Sequence, residues 1–374
     1  MLQKLDKKVK MFILGVIGVV IFLILIAILI YFISNRKITF DAVENKMVEA
    51  AQNYYNANPT NLPQIEGNST EVSLSTLEAE GYMKTVTKYV KDDTLACTGR
   101  VTVTKTGASY GYNPYLNCGE IYSTKFLYEE LKKDIVTSGD GLYEMALTSV
   151  DNSNATTMKT FYVYRGDYVD NYIKSQGKVW RVVKLDENNN IMIIYDGTDL
   201  ESTWDDRFNA EKNSAAGINE YELSRVKKKT EDIYNGKTFD TAFKNKLIKY
   251  NACVGKRSST QEINDGSIEC SKVLKDQYFA LLPTYDFMNA SLDTSCKKLD
   301  DLQCSNYNYL ASYDRTWSFA TGDADTTYKI YRFSDSVYTS SANTKGKLRL
   351  VAYLNKNVTI KSGSGTKNDP YIVK

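Results

Sequence analysis

From Met11 to Ile33 every position is apolar or glycine, an unbroken run of 23 residues. At about 1.5 Å of rise per residue such a helix reaches about 34 Å, enough for a hydrocarbon core of roughly 30 Å. A cleavable signal sequence carries an apolar region of only about 7–15 residues. This run instead leads into Tyr31-Phe32-Ile33-Ser34-Asn35-Arg36-Lys37, so an uncleaved transmembrane helix is predicted over 11–33. Phe40, Val43, Met47, Ala51 and Tyr54 then recur at steps of three and four, which extends the helix as an amphipathic rod toward Asn58-Pro59. Pro59 and Pro63 end it. A second, short helix is expected near Leu74–Glu80, closed by Gly81. The period then shifts to two. Arg100–Thr104 and Ser109–Tyr112, joined by Lys105-Thr106-Gly107-Ala108, read as a β-hairpin.

Beyond about residue 124 the pattern predicts a helix over Lys125–Val136 and a polar linking segment from Thr137 to Thr157. Strand-like runs follow at Phe161–Tyr164, Val179–Leu185 and Ile191–Tyr195, the last two joined by Asp186-Glu187-Asn188-Asn189-Asn190, residues that tolerate a left-handed turn. Helices are expected over Asn219–Tyr234 and Phe239–Tyr250, and strands at Gln277–Leu281, Trp317–Thr321, Tyr328–Phe333 and Leu348–Leu354. This order indicates an α+β fold with an antiparallel sheet.

Charge orients the chain. Lys4, Lys7, Lys8 and Lys10 precede the apolar run and only Arg36 and Lys37 follow it, which puts residues 1–10 in the cytoplasm as a tail and the rest outside. The expected division is therefore a tail (1–10), a membrane helix (11–33), a first outer module (34–123), a linker (124–157) and a distal domain (158–374). The six cysteines all lie outside the apolar run. Without Cys-x-x-Cys pairs or any histidine they do not suit a zinc site. We expect neighbours to pair, Cys97 with Cys118, Cys253 with Cys270 and Cys296 with Cys304, as an oxidising compartment permits. With 47 basic and 45 acidic residues the net charge is +2, too balanced for a dedicated nucleic-acid binder. The absence of histidine excludes His-dependent catalysis.

A membrane helix running into an amphipathic helix, then Ala50-Ala51-Gln52-Asn53-Tyr54-Tyr55 before a proline and a small disulfide-bonded sheet, resembles type IV pilin and pseudopilin-like proteins over roughly residues 1–122. A second resemblance rests on Gly177-Lys178-Val179-Trp180-Arg181-Val182-Val183, Thr203-Trp204-Asp205-Asp206-Arg207-Phe208-Asn209, Thr316-Trp317-Ser318 and Leu348–Leu354, with the ending Gly363-Ser364-Gly365-Thr366-Lys367-Asn368-Asp369-Pro370-Tyr371-Ile372-Val373. Over about 155–374 this is similar to Gram-positive surface proteins whose domain resembles the C-type-lectin-like fold shared with formylglycine-generating enzymes. The resemblance implies that fold and a surface location, with no defined ligand. Formylglycine-generating chemistry needs two reactive cysteines, and these cysteines are better used as structural pairs.

Candidate chemistry is sparse. Asp323 and Asp325, or Asp205 and Asp206, offer carboxylates for calcium, against the simpler readings of a hairpin tip and of pairing with Arg207. The lectin strings Glu-Pro-Asn, Gln-Pro-Asp and Trp-Asn-Asp do not occur. Ser224-Arg225-Val226-Lys227 and Lys105-Thr106-Gly107 resemble penicillin-binding motifs, but no Ser-Asp-Asn completes them. Gly363-Ser364-Gly365-Thr366 lacks the Gly-Lys-Ser/Thr of a phosphate loop and reads as a turn. Lys227-Lys228-Lys229 is either a solvated helix face or a contact for an anionic polymer. The 29 tyrosines offer ring faces and hydroxyl tips for binding, and Tyr307, Tyr309, Tyr313 and Trp317 cluster beyond the last cysteine pair as candidate ligand contacts. No catalytic residue and no cofactor is expected.

These features suggest a single-pass protein of the cell membrane with its distal domain outside. Its lipid contact is 11–33, and its ligand is a glycan, a wall polymer or a protein. The expected role is binding or adhesion. The rival is a pseudopilin-like subunit of an envelope machine, packed against other pilin-like subunits. A wall-remodelling hydrolase would need paired carboxylates that the sequence does not single out.

Overall fold

The computed structural model describes residues 7–34, 37–151, 153, 155–313 and 315–374, with side chains in the first helix described at Met11, 15–26 and Ile28. The chain forms two compact units: Met1–Asn61, Glu71–Val101 and Pro114–Ser123, and Leu62–Thr70, Thr102–Asn113 and Thr124–Lys374. Its elements begin with α1 (Lys7–Ser34), α2 (Phe40–Ala57), β1 (Ser69–Ser73), α3 (Leu74–Ala79), α4 (Val86–Val90), β2 (Thr98–Thr106) and β3 (Ser109–Asn117). They continue with α5 (Leu127–Leu131), β4 (Gly141–Val150), β5 (Thr156–Arg165), β6 (Tyr172–Ser175), β7 (Lys178–Leu185), β8 (Ile191–Tyr195), β9 (Glu201–Thr203), α6 (Arg225–Asn235) and α7 (Thr241–Lys244). After these come β10 (Leu247–Ile248), β11 (Tyr250–Cys253), β12 (Val273–Gln277), β13 (Ala280–Leu281) and α8 (Thr284–Asn289). The chain closes with β14 (Trp317–Gly322), β15 (Lys329–Phe333), β16 (Val337–Ser341), β17 (Lys345–Lys347), β18 (Leu350–Leu354), β19 (Ile360–Ser362) and β20 (Tyr371–Val373).

The α+β class holds, but the expected membrane segment does not. Among the described residues no helix is long and apolar enough to cross a membrane. The spanning helix expected at 11–33 is therefore not supported. Of the expected tail, residues 1–6 lie outside the described residues and 7–10 belong to α1.

Nor do α1 and α2 make one rod. Thr39 holds an extended conformation and its hydroxyl accepts from the Ala42 amide at 3.3 Å, so α2 starts with its own cap. Within the first unit α2 buries Val43, Met47, Ala50, Ala51 and Tyr55, while α3 and α4 bury Leu74, Leu77, Val86 and Val90. Gly99 of β2 lets strand and helix approach, since a Cβ there would lie 2.5 Å from the Tyr115 carbonyl and 3.1 Å from the Met47 methyl. The hairpin turns at Gly107, with φ +57°, and its far ends are joined by Cys97–Cys118.

The second unit is built on a ten-stranded sheet in the order β10-β18-β8-β7-β6-β20-β19, with β4, β5 and β13 attached beside it. Strand β7 organises it. One edge of β7 meets β8, while the other meets β6 along Lys178–Arg181 and β5 at Lys184 and Leu185. A five-stranded sheet, β16-β15-β14-β17-β9, forms the second layer. Trp180, Trp204 and Trp317 are fully buried, and the Trp180 ring lies among Tyr195, Phe239, Phe243 and Phe279.

Three local expectations change. Residues 124–157, expected as a linker, contain β4, whose ten residues pair with β5 from Gly141↔Arg165 to Val150↔Thr156. Pairing to a neighbour, not local propensity, makes this Ser- and Thr-containing segment a strand. The helix expected over Phe239–Tyr250 is only the turn α7. Phe239, Phe243 and Leu247 are still buried, but Leu247 and Ile248 extend to pair with Leu354 and Tyr353. The helix expected over Asn219–Tyr234 begins at Arg225, because the Ser224 hydroxyl caps it by accepting from the Lys227 amide.

All three expected disulfides are present, and among the described residues no cysteine is free. Thiol titration of denatured, non-reduced protein should read none. Reduction should lower stability by about 2–4 kcal/mol per bridge, measured by urea unfolding; an unchanged midpoint would show the bridges to be structurally idle.

Candidate functional site

The second unit buries cations, and its sequence-derived site residues serve them. The Arg181 guanidinium lies 4.2 Å from the Tyr172 ring centroid and 4.4 Å from that of Tyr309, and donates to Asn171 Oδ1 and the Tyr309 carbonyl. Arg349 lies 4.4 Å from Tyr313 and 5.0 Å from Trp317, and donates to the Tyr195 and Leu310 carbonyls and to Asp196. Tyr309 and Trp317 are therefore core residues, and Tyr313 is only 8% exposed. Of the four aromatic candidates only Tyr307 presents its ring to solvent, on a backbone with φ +47°. Tyr313 borders a cavity of about 440 Å³ with Arg315, Phe333 and Asp335. The spacing located a real cluster, but its rings face guanidinium groups inside the fold.

The calcium candidates are likewise occupied. Asp323 is buried and accepts from the Asp325 amide and the Thr326 hydroxyl, and Asp325 accepts from Ser258. Asp205 is fully buried and receives Arg207 through two nitrogens, while Asp206 pairs with Arg225. Among the described residues no group of three or more acidic or thiol side chains is placed to hold a metal. Lys227 and Lys228 pair with Glu231 and Asp232 one turn on, as a solvated face does. The amides of Ser364 and Gly365 both reach the Asp369 carbonyl, which makes Gly363–Thr366 a turn between β19 and β20.

A different place gathers more chemistry. A polar cleft of about 240 Å³ opens between the β7–β8 turn, the paired strands β11 and β12, the end of β4 and the middle of β5. Asp186 shapes the first wall: its Oδ1 accepts the amides of Asn188 and Asn190 at 2.8 Å, and its Oδ2 the Asn190 side-chain amide at 2.9 Å. Asn189 takes φ +64° at the tip, a conformation that asparagine tolerates. The second wall carries Tyr250, Asn251, Cys253 and Asp276, and Cys253–Cys270 pins it. Phe161, Tyr285 and Tyr353 form the apolar part of the lining, with Lys184 beneath. None of these residues has a distinctive sequence motif; only the Asp-Glu-Asn-Asn-Asn turn was visible beforehand.

Lys184 Nζ donates to Asp286 Oδ1 at 2.6 Å and to the Tyr285 hydroxyl at 2.8 Å, with both members of the ion pair 2% exposed or less. Burial opposes charge on Lys184, but the Asp286 carboxylate outweighs it and raises the ammonium above its ordinary pKa. Burial pushes Asp286 upward as well, against the opposing pull of Lys184. The two shifts favour opposite ionisation states of the pair; the short contact and the added phenol hydrogen bond favour the ionic one. Burial raises the Tyr250, Tyr285 and Tyr353 hydroxyls well above their ordinary value, so all three stay neutral.

The arrangement suits binding better than turnover. Both Asp186 oxygens are committed to the turn and Glu187 accepts from Ser149, so the rim offers no free pair of carboxylates for glycoside cleavage. The Ser224 hydroxyl caps α6 and donates to the Tyr221 carbonyl, which removes it as a nucleophile. Comparison with known proteins finds no family model, no curated protein and no solved structure that matches the chain.

Two outcomes follow. Arg257 and Glu269 form a fully buried pair at 2.8 Å. Arg257→Met strands the Glu269 carboxylate and should cost about 3–5 kcal/mol, with partial recovery on adding Glu269→Leu; equal losses in both variants by urea unfolding would refute an electrostatic origin. Burial works against the Asp205 carboxylate, but Arg207 prevails and holds it below its ordinary pKa. A depressed folded pKa gives stability that is full above the unfolded value of about 3.9 and is lost as pH falls through the folded one. Asp205→Asn should therefore flatten the decline of Tm below about pH 4; an unchanged slope would exclude this linkage.

Proposed function

We propose that this chain is a binding protein of an oxidising, extracytoplasmic compartment, with the polar cleft of its second unit as the ligand site. The carrying observation is the convergence on one cleft of amide and carboxylate groups, Asn188, Asn190, Asn251 and Asp276, with the half-buried Tyr250 ring. Amides exchange hydrogen bonds with hydroxyl groups in both directions, and phenol rings cover C–H faces. That combination fits a hydroxyl-rich ligand, such as one unit of a glycan. At about 240 Å³ the cleft is smaller than the roughly 300–1,000 Å³ of drug-sized sites, so it receives a terminal unit. Three disulfides support the compartment. The rival reading, a subunit of an envelope machine, requires stable association with other chains.

A glycan array followed by calorimetry on the full chain tests the reading. Asn188→Ala, at an exposed position, should weaken a captured glycan about tenfold without moving Tm, since one lost hydrogen bond to an uncharged ligand is worth about 0.5–1.5 kcal/mol. Absence of any glycan binding, together with purification as a hetero-complex, would favour the machine subunit.

A further inference from the structure

We propose that Lys184 and Asp286 condense into a side-chain amide, an intramolecular isopeptide bond joining β7 to α8. The two residues are 102 positions apart in sequence, yet Nζ and Oδ1 are in direct contact at 2.6 Å with essentially no exposure. Asp286 Oδ2 is buried and has no hydrogen-bond partner among the described residues. An ion pair that served stability alone would use both carboxylate oxygens, because an unsatisfied buried acceptor costs about 1–3 kcal/mol.

The acid is held in place from its own helix. Glu269 accepts from the Thr284 hydroxyl at 2.6 Å and from the Tyr285 amide at 3.1 Å, and is itself clamped by Arg257. Those bonds fix the first turn of α8, whose six residues are all buried. On the other side Lys184 is fixed by strand pairing of β7 with β5 and β8. Two reactants held in contact by a rigid frame behave as an intramolecular pair of high effective concentration.

The step balances without a cofactor. One proton passes from the ammonium to Asp286 Oδ2, leaving an amine and a carboxylic acid. The nitrogen lone pair forms a bond to Cγ as the carbonyl electrons move onto oxygen. A second proton passes from nitrogen to the hydroxyl, with the neutral Tyr285 phenol at 2.8 Å from Nζ as relay. The Cγ–O bond breaks and water leaves, so ammonium plus carboxylate becomes amide plus water, with no change of oxidation state. In bulk water this condensation is uphill chiefly because both ions are well hydrated; here that hydration is already lost, and a neutral amide relieves two buried charges. The upward push of burial on the Asp286 carboxyl favours the protonated acid the attack requires.

Intact-mass spectrometry of the full-length chain tests this. After reduction and denaturation, wild type should be one water lighter than its sequence mass, and Lys184→Met and Asp286→Ala should each match theirs. A digest should contain a branched peptide joining Lys184 to Asp286. If either variant fails to fold, the wild-type digest decides alone. Separate linear peptides for the two residues, or a water loss carried by any other peptide, would overturn the proposal.

Discussion

Five cationic side chains, Arg181, Lys184, Arg257, Arg332 and Arg349, are removed from water inside the second unit. A buried charge is tolerated only when its partners are in place, since an isolated one costs many kcal/mol. The fold therefore has to bring distant segments together around each head group. Arg181 needs Asn171 and the Tyr309 carbonyl, Arg349 needs Asp196 and Leu310, Arg257 needs Glu269, and Lys184 needs Asp286. Arg332 reaches the Thr344 and Lys345 carbonyls and so ties β15 to the approach of β17. Most of these requirements join a strand to a loop or helix far away in the chain.

This constraint explains why the aromatic cluster near residue 310 is not a surface. A guanidinium is weakly hydrated and stacks on ring faces, so Tyr172, Tyr309, Tyr313 and Trp317 supply the apolar and quadrupolar half of its environment, while backbone carbonyls supply the rest. The polar cleft lies where the sheet leaves Lys184 beneath the β7–β8 turn and the β11–β12 pair. Of its recognition groups Asn188 and Asn190 come from a turn and Asn251 and Asp276 from β11 and β12, while its floor comes from the sheet and is fixed by packing.

In the first unit the controlling features are local. A Thr39 cap, a periodic apolar face on α2 and a Cys97–Cys118 bridge act over short sequence distances. Such features were readable in advance: the α3 helix, the hairpin and its bridge match their expectation, and the α2 face does so at Val43, Met47 and Ala51, with Tyr55 buried in place of Tyr54. The apolar run at 11–33 was equally plain as a pattern, but no helix among the described residues meets the length and apolarity of a membrane span.

The sequence alone determined the α+β class and the strands whose apolar residues are contiguous, β7, β8, β14 and β18, and it led to the expectation that neighbouring cysteines pair. It did so because pattern and loop closure act over short distances. Tertiary structure decided the rest. It made residues 141–150 a strand by offering β5 as a partner, cut short the helix expected after Phe239 by drawing Leu247 and Ile248 onto β18, and turned candidate ligand contacts into beds for buried arginines. Those outcomes depend on which distant groups satisfy a hydrogen bond or a charge, and that information is absent from any local window of the chain.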